Sequence, residues 1–255
     1  MRIAGTVVVV TGGGNGIGRA LCRRFAAERA AAIVVADIDA EAAARVAHEI
    51  VGEAIATDVS READVTQLVE RTQSAHGRID LFCSNAGIAV HGGEETSDEL
   101  WRRSWDVNVM AHVYSARAAL PGMLARGSGY LLHTVSAAGL LTHPHSATYA
   151  VTKHAALAFA EWLSIAYGDR GIKVSALCPQ GVKTDMLKRA EAETGQFLVG
   201  TALEPEQVAD DVVKGLAEER FLILPHGEVA EYARRRAADP DRWIRGMRRW
   251  REGVK

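Results

Sequence analysis

The chain has 255 residues, 48% of them apolar and 24% charged, and a formal net charge of −2. That length and apolar content suit a soluble α/β domain built around one large core, and the near-zero net charge excludes a global pull toward nucleic acid or anionic membrane. The three cysteines, Cys22, Cys83 and Cys178, lie far apart in apolar runs, which excludes a disulfide framework or a thiolate metal site and reads as buried thiols in a cytoplasmic protein.

The N-terminus enters a strand almost at once, without the basic-then-apolar pattern of a signal peptide. No apolar run approaches the roughly 18 residues of a membrane span. Residues 6–10 are a β-branched run without polar alternation, the pattern of a central strand buried on both faces. Residues 16–29 follow as an amphipathic helix, with Ile17, Leu21 and Phe25 one turn apart. A second strand at 33–36 leads into an Ala-rich helix at 40–50. Further strands are predicted at 53–56, 81–84, 130–135, 173–177 and 221–224, with long helices at 105–125 and 149–167. Strand–helix alternation repeated this often implies right-handed parallel crossovers, hence an α/β, doubly wound, Rossmann-like parallel sheet of about seven strands in a single domain spanning residues 1–255. Residues 185–205 are the least regular stretch and read as a substrate loop. Residues 226–255 read as a C-terminal helical extension.

The first strand runs directly into Gly12-Gly13-Gly14-Asn15-Gly16-Ile17-Gly18. Glycines between a buried strand and a helix N-terminus let backbone N–H groups approach a pyrophosphate, and the helix dipole favours the anion. Asp37 closes the second strand about 20 residues beyond that turn, where an acid can accept hydrogen bonds from an adenosine ribose. Asp39, two residues on, suits the cap of the next helix. A carboxylate at Asp37 repels a ribose 2′-phosphate, and Asn15 supplies no cation to hold one, so both residues favour NAD over NADP.

With these features in place the sequence resembles the short-chain dehydrogenase/reductase family over roughly residues 5 to 225. Thr11–Gly18 matches its TGxxxGxG turn. Asp58-Val59 matches a dipeptide that contacts adenine, and Asn85-Ala86-Gly87 matches the NAG motif beside the cofactor. Asn108 matches a helix asparagine assigned to a proton relay. Ser136, Tyr149 and Lys153 fall in the family's catalytic spacing, with Tyr-x-x-x-Lys intact. The resemblance implies an oxidoreductase that moves a hydride between NAD and a secondary alcohol or its ketone. Tyr149 would be the general base or acid, Ser136 would bind the substrate oxygen, Lys153 would also hold the nicotinamide ribose, and Asn108 would position a relay water. After the sixth strand, Pro179, Val182 and Thr184 keep the family's places near the nicotinamide, but Gln180 stands where a glycine is usual. It either shapes the substrate pocket or fits a tolerant turn.

The residues support this chemistry on their own terms. Positions four apart share a helix face, and an ammonium beside a phenol, whose ordinary pKa is about 10, draws that value toward the working range. Leu140, Leu141, His143 and His145 suggest a largely apolar substrate pocket edged by imidazole. His143 and His145 have no helpful carboxylate, so no metal is expected. Trp243, Met247 and Trp250 form an apolar stripe in a basic tail, which reads as packing on the body or on another subunit. The partners expected are a hydrophobic alcohol or ketone and further copies of the chain, as a tetramer or dimer by family analogy. The alternatives are a cofactor-retaining epimerase or dehydratase, and a non-catalytic nucleotide-binding protein of the same fold.

Overall fold

A computed structural model describes residues 1–194 and 199–253. Seven parallel strands lie in the order β3-β2-β1-β4-β5-β6-β7. They are β1 (Val7–Thr11), β2 (Ala32–Asp37), β3 (Glu53–Ala56), β4 (Leu81–Ser84), β5 (Gly129–Thr134), β6 (Ile172–Leu177) and β7 (Leu222–Ile223). Chain order reverses beside β1, so a crevice opens between the carboxyl ends of β1 and β4, where open α/β sheets hold their ligands.

Both faces of the sheet are covered, which explains why its strands read as unbroken apolar runs. On one face Val8, Val10, Val35, Leu81 and Leu132 pack under α1 (Gly16–Ala27), α2 (Ala40–Ile50) and α9 (Pro205–Ala217), through Leu21, Phe25, Val46, Val212 and Leu216. On the other face Val9, Val34, Phe82 and Leu131 meet α3 (Glu62–His76), α5 (Ala111–Arg126) and α7 (Ala147–Tyr167), through Leu68, Val69, Met123, Ala156, Ala160 and Leu163. The small residues Ala156 and Ala160 are both fully buried and let α7 lie close to the sheet. Asp39 caps α2 by accepting the Ala42 N–H at 2.9 Å, as its spacing predicted.

Two predicted elements take a different form. The helix expected over 105–125 is α4 (Asp98–Trp105), a π-helical turn (Asp106–Met110) and then α5. A π turn inserts one residue without interrupting the apolar face, so periodicity does not reveal it; such turns gather at functional sites, and this one carries Asn108. The stretch expected to be an irregular loop over 185–205 begins as α8 (Asp185–Thr194) and includes a short 3-10 turn (Val199–Thr201). Its residues 195–198 lie outside the described residues. The C-terminal extension is α10 (Glu228–Ala238) and α11 (Pro240–Gly253), and residues 254–255 likewise lie outside the described residues. Among the described residues no helix is long and apolar enough to cross a membrane.

Beneath the sheet end, His133 of β5 and His112 of α5 face each other with Nδ1 atoms 2.9 Å apart. Burial pushes the pKa of both down, that of His133 to about 4, so each imidazole is neutral near neutral pH. The unfolded chain takes up protons below about pH 6.5 while the folded pair resists them. Their contribution is therefore present above that value and is lost as pH falls toward 4. The unfolding free energy should fall across this window by up to about 1.4 kcal/mol per pH unit for each group, carrying the thermal midpoint down with it, and His112→Leu with His133→Leu should flatten that dependence in melts recorded from about pH 7 to 4. An unchanged slope in the double variant contradicts this reading.

Candidate active site

Every residue singled out from the sequence lies in or just beyond the carboxyl edge of the sheet, or on a helix that faces it. The β1–α1 turn needs its glycines for close approach. Gly12 has φ +63, and a Cβ on Gly18 would lie 2.0 Å from the Gly12 carbonyl oxygen. The Gly14 N–H donates to Asp37 Oδ2 at 2.9 Å, and the Asp39 N–H donates to Asp37 Oδ1 at 3.0 Å, which fixes the carboxylate at the end of β2. Asn15, at the N-cap of α1, is exposed and does not cap with its side chain. Asp58 accepts from the Ser60 hydroxyl at 2.7 Å, and Val59 is buried against the segment carrying Ala86.

Asn85 ties three strands together. Its Nδ2 donates to the Thr11 carbonyl at 3.0 Å, its backbone N–H donates to Thr11 Oγ1 at 3.0 Å, and its Oδ1 accepts from Thr134 Oγ1 at 3.0 Å. The Thr134 carbonyl in turn accepts from Lys153 Nζ at 3.0 Å. A methyl placed on Gly87 would stand 3.3 Å from Asn108 Oδ1 and 3.4 Å from Lys153 Nζ, so this glycine leaves open a space walled by both groups. Asn108 is fully buried; its Oδ1 accepts the Ile88 N–H at 2.9 Å, and its Nδ2 donates to the Ile88 carbonyl at 2.9 Å and to Thr152 Oγ1 at 3.1 Å.

Tyr149 is placed by the start of α7. Ser146 caps that helix by accepting the Tyr149 N–H at 3.1 Å, and its own hydroxyl donates to the Val90 carbonyl. The loop after β4 is thereby joined to the helix that carries the phenol. Ser136, just past β5, accepts the Ala138 N–H at 3.0 Å and reaches the Pro179 carbonyl only at 3.5 Å, leaving its hydroxyl hydrogen weakly held. Both residues line a cavity of about 550 Å³. Val182, Thr184, Ile17 and Gln180 line it too, so the β6–α8 loop and the glycine turn meet at its inner end. Thr184 closes that junction, its Cγ2 lying 3.0 Å from where a Gly16 Cβ would be.

Lys153 is 2% exposed, and burial lowers its pKa to about 8, so it remains mostly charged near neutral pH. The expectation that this charge pulls the Tyr149 phenol down is not met. Burial raises the phenol pKa, the nearby Ser136 hydroxyl opposes that shift, and Cys178 adds to it. The reason is geometric. Lys153 Nζ lies 5.7 Å from the phenol ring centre and directs a hydrogen bond at Thr134 instead.

Further residues complete the surroundings of the cavity, and of these His226 escaped the sequence analysis. His143 packs edge-on against Tyr149, ring centres 6.0 Å apart, and its pKa falls to about 4 through burial and neighbouring His91 and His145. His226 accepts the Gln180 N–H on Nδ1 at 3.1 Å, so its Nε2–H donates to the Thr201 carbonyl at 3.2 Å. That neutral tautomer links the two ends of the segment around α8. A lone histidine after the last strand gives no sequence signal for such a role. Gln180 makes this bond through its main chain and lines the cavity. The apolar stripe of the tail also packs on the body, and Trp243, Met247 and Trp250 all line the same cavity.

A glycine turn feeding a helix and an acid at the end of β2 define a nucleotide-binding α/β protein, with Ser136, Tyr149 and Lys153 gathered at the sheet edge. The chain belongs to the short-chain dehydrogenase family, whose model matches residues 6–195. It is 35% identical to a 1-deoxy-11-beta-hydroxypentalenate dehydrogenase of Streptomyces exfoliatus, over 89% of this chain and 86% of the relative. It is 34% identical to a cyclohexanol dehydrogenase of an Acinetobacter species, over 85% of this chain and 90% of the relative. A crystal structure of a short-chain dehydrogenase/reductase from Burkholderia phymatum in complex with NAD superposes with a TM-score of 0.87 at 30% identity, covering 94% of this chain and 96% of that one.

Asn85→Ala removes the side-chain tie among β1, β4 and β5 and takes from the Thr11 carbonyl its donor and from the Thr134 hydroxyl its acceptor. Denaturant unfolding should show a loss of about 2–3 kcal/mol, and a loss below about 0.5 kcal/mol would show that the strands do not depend on it.

Proposed function

We propose that the chain is an NAD-dependent oxidoreductase that interconverts a hydrophobic secondary alcohol and its ketone, with Tyr149 exchanging the proton on the substrate oxygen. The observation that carries this reading is the convergence of Ser136 and Tyr149 on one cavity wall with the Lys153 ammonium buried behind them. Family membership supports the same chemistry.

The residues present fit NAD. The close-packed glycine turn, with the N-terminus of α1 behind it, suits a pyrophosphate. Asp37 keeps lone pairs free beyond the two backbone bonds it accepts, and these suit the adenosine ribose hydroxyls. Asp58 and Val59 flank the place for adenine, Asn85, Ala86 and Gly87 form the floor, and Pro179, Val182 and Thr184 border the nicotinamide end. When bound, the nicotinamide supplies the hydride acceptor for an alcohol, or in reduced form the donor for a ketone. Lys153 Nζ, facing the space left by Gly87, is placed to hold the nearby ribose while its charge compensates a phenolate on Tyr149.

Ser136 donates its weakly held hydroxyl hydrogen to the substrate oxygen and fixes its position. Tyr149 takes the alcohol proton in oxidation or returns it in reduction. Asn108 is a positioning residue: its Nδ2 is occupied by Ile88 and Thr152, while its Oδ1 accepts only the Ile88 N–H and keeps a lone pair toward the space beside Gly87, where a relay water would sit. The mostly apolar cavity suits a medium-sized hydrophobic substrate, and the cyclohexanol and pentalenate relatives agree with a ring-bearing one.

A homo-oligomer, dimer or tetramer, is part of the proposal. Trp162 (54% exposed) and Ile165 (78%) on α7, with Trp105 (42%) at the end of α4, leave apolar surface that a second copy would cover. Three buried thiols without a disulfide support a cytoplasmic setting.

Tyr149→Phe should leave NAD binding within about twofold of wild type but lower turnover by about 10³-fold or more, measured by cofactor titration and steady-state kinetics; undiminished turnover removes Tyr149 from the chemistry. Because burial keeps the phenol protonated near neutral pH, alcohol oxidation should accelerate as pH rises from about 7 to about 8 and level off above that, where Lys153 loses its charge, whereas ketone reduction should not accelerate. A flat oxidation profile contradicts this assignment. Asp37→Ala should shift the NAD/NADP preference toward NADP by about tenfold or more, and an unchanged ratio would place cofactor choice elsewhere.

A further inference from the structure

The C-terminal helix α11 lies beyond the residues matched by the family model, yet it walls the catalytic cavity. Trp243, Met247 and Trp250 fall within one narrow arc of the helix, and all three face the cavity that holds Ser136 and Tyr149. Arg242, Arg245, Arg248 and Arg249 are exposed on the remaining surface, so the helix is divided into a cavity face and a solvent face.

Its position is set by bonds to the catalytic loop. The short helix α6 (Ala138–Leu141), directly after Ser136, ends with carbonyls that need donors. Trp243 Nε1–H donates to the Leu141 carbonyl at 3.4 Å, and Arg236 of α10 donates to the Leu140 carbonyl and lies 3.2 Å from His154 Nε2. The Trp243 ring leans on Tyr232, centres 6.2 Å apart. At its other end Arg251 lies close enough to Glu95 and His145 to shift their titration, so α11 spans from α6 to the loops that carry those residues. Arg235, the one guanidinium in the cavity lining among the described residues, is already bonded to Glu231 at 2.8 Å. Trp250, 41% exposed, adds its ring to the cavity lining beside Met247.

We infer that the Trp243–Met247–Trp250 face of α11 is the specificity wall for the end of the substrate remote from the reacting carbon, and that it selects extended apolar secondary alcohols, of bicyclic size or larger, over short ones. The inference rests on the dehydrogenase reading above for its chemistry but not for its binding.

Two measurements test it. In the first, kcat/KM for 2-decalol and for 2-butanol is determined with NAD for wild type, Trp250→Ala, Met247→Ala and the solvent-face control Arg248→Ala. The decalol-to-butanol ratio should fall by about tenfold or more in the two cavity-face variants and stay at the wild-type value in the control. In the second, 2-decalone is titrated into the same proteins by calorimetry, which requires no turnover, and its affinity should weaken by about tenfold in the cavity-face variants. If wild type turns over alcohols but ratio and affinity are the same in every variant, the wall is wrong and the dehydrogenase reading stands. If no alcohol is oxidised but decalone binds in a Trp250-dependent way, the wall stands and the dehydrogenase reading fails. Failure of wild type to bind decalone overturns the wall outright.

Discussion

An ammonium buried at the edge of a parallel sheet is the constraint that organises this site. Lys153 is 2% exposed and cannot hold its charge without oxygen acceptors and a fixed polar frame. The Thr134 carbonyl supplies one acceptor, and Thr134 is itself bonded to Asn85, which is bonded to Thr11. That chain of hydrogen bonds runs through β5, β4 and β1. The cation is therefore held by the same interactions that set the spacing of the strands around the crevice. Its lowered pKa, about 8, records what burial costs, and the remaining charge is available to a phenolate or a ribose in the space beside Gly87.

The parallel topology then places everything else. Because every strand runs the same way, the segments after β1, β2, β3, β4, β5 and β6 emerge on one edge, and the glycine turn, Asp37, Asn85, Ser136 and Thr184 follow from that geometry. Two loops are further tied to helices, Val90 to Ser146 at the start of α7 and Leu140–Leu141 to the C-terminal pair α10 and α11. The scaffold fixes the reacting groups, and the segments outside the sheet determine the cavity's remote boundary. Tyr149 is half-buried in the cavity wall, and its burial raises the phenol pKa above the ordinary value.

Much of this was legible in the sequence because it follows from local rules. Glycines at a strand–helix junction, an acid at the next strand's end, the Asp39 cap and a Tyr-x-x-x-Lys pair on one helix face each leave a residue-level signature. What stayed hidden depends on contacts between distant segments. Periodicity cannot distinguish a π turn from an α-helix around Asn108. Asp185–Thr194 carries too many charges and too few apolar residues to show a helical stripe. The stripe at Trp243, Met247 and Trp250 announced a buried face without saying that the face would be a cavity. The Lys153–Tyr149 spacing was correct, but its electrostatic consequence was not, since Nζ turns toward Thr134. His112, His133 and His226 stood in the sequence as isolated imidazoles whose partners lie far along the chain.

The central claim is hydride transfer between the carbinol carbon of an alcohol and NAD. It is tested most directly by incubating the protein with NAD and a secondary alcohol deuterated at that carbon, then analysing the nicotinamide by mass spectrometry and absorbance. The account predicts that the reduced-nicotinamide band appears together with the ketone, one for one, and that the reduced cofactor carries the deuterium. Conversion of the alcohol with no net reduced nicotinamide, or reduced cofactor without the label, would contradict it.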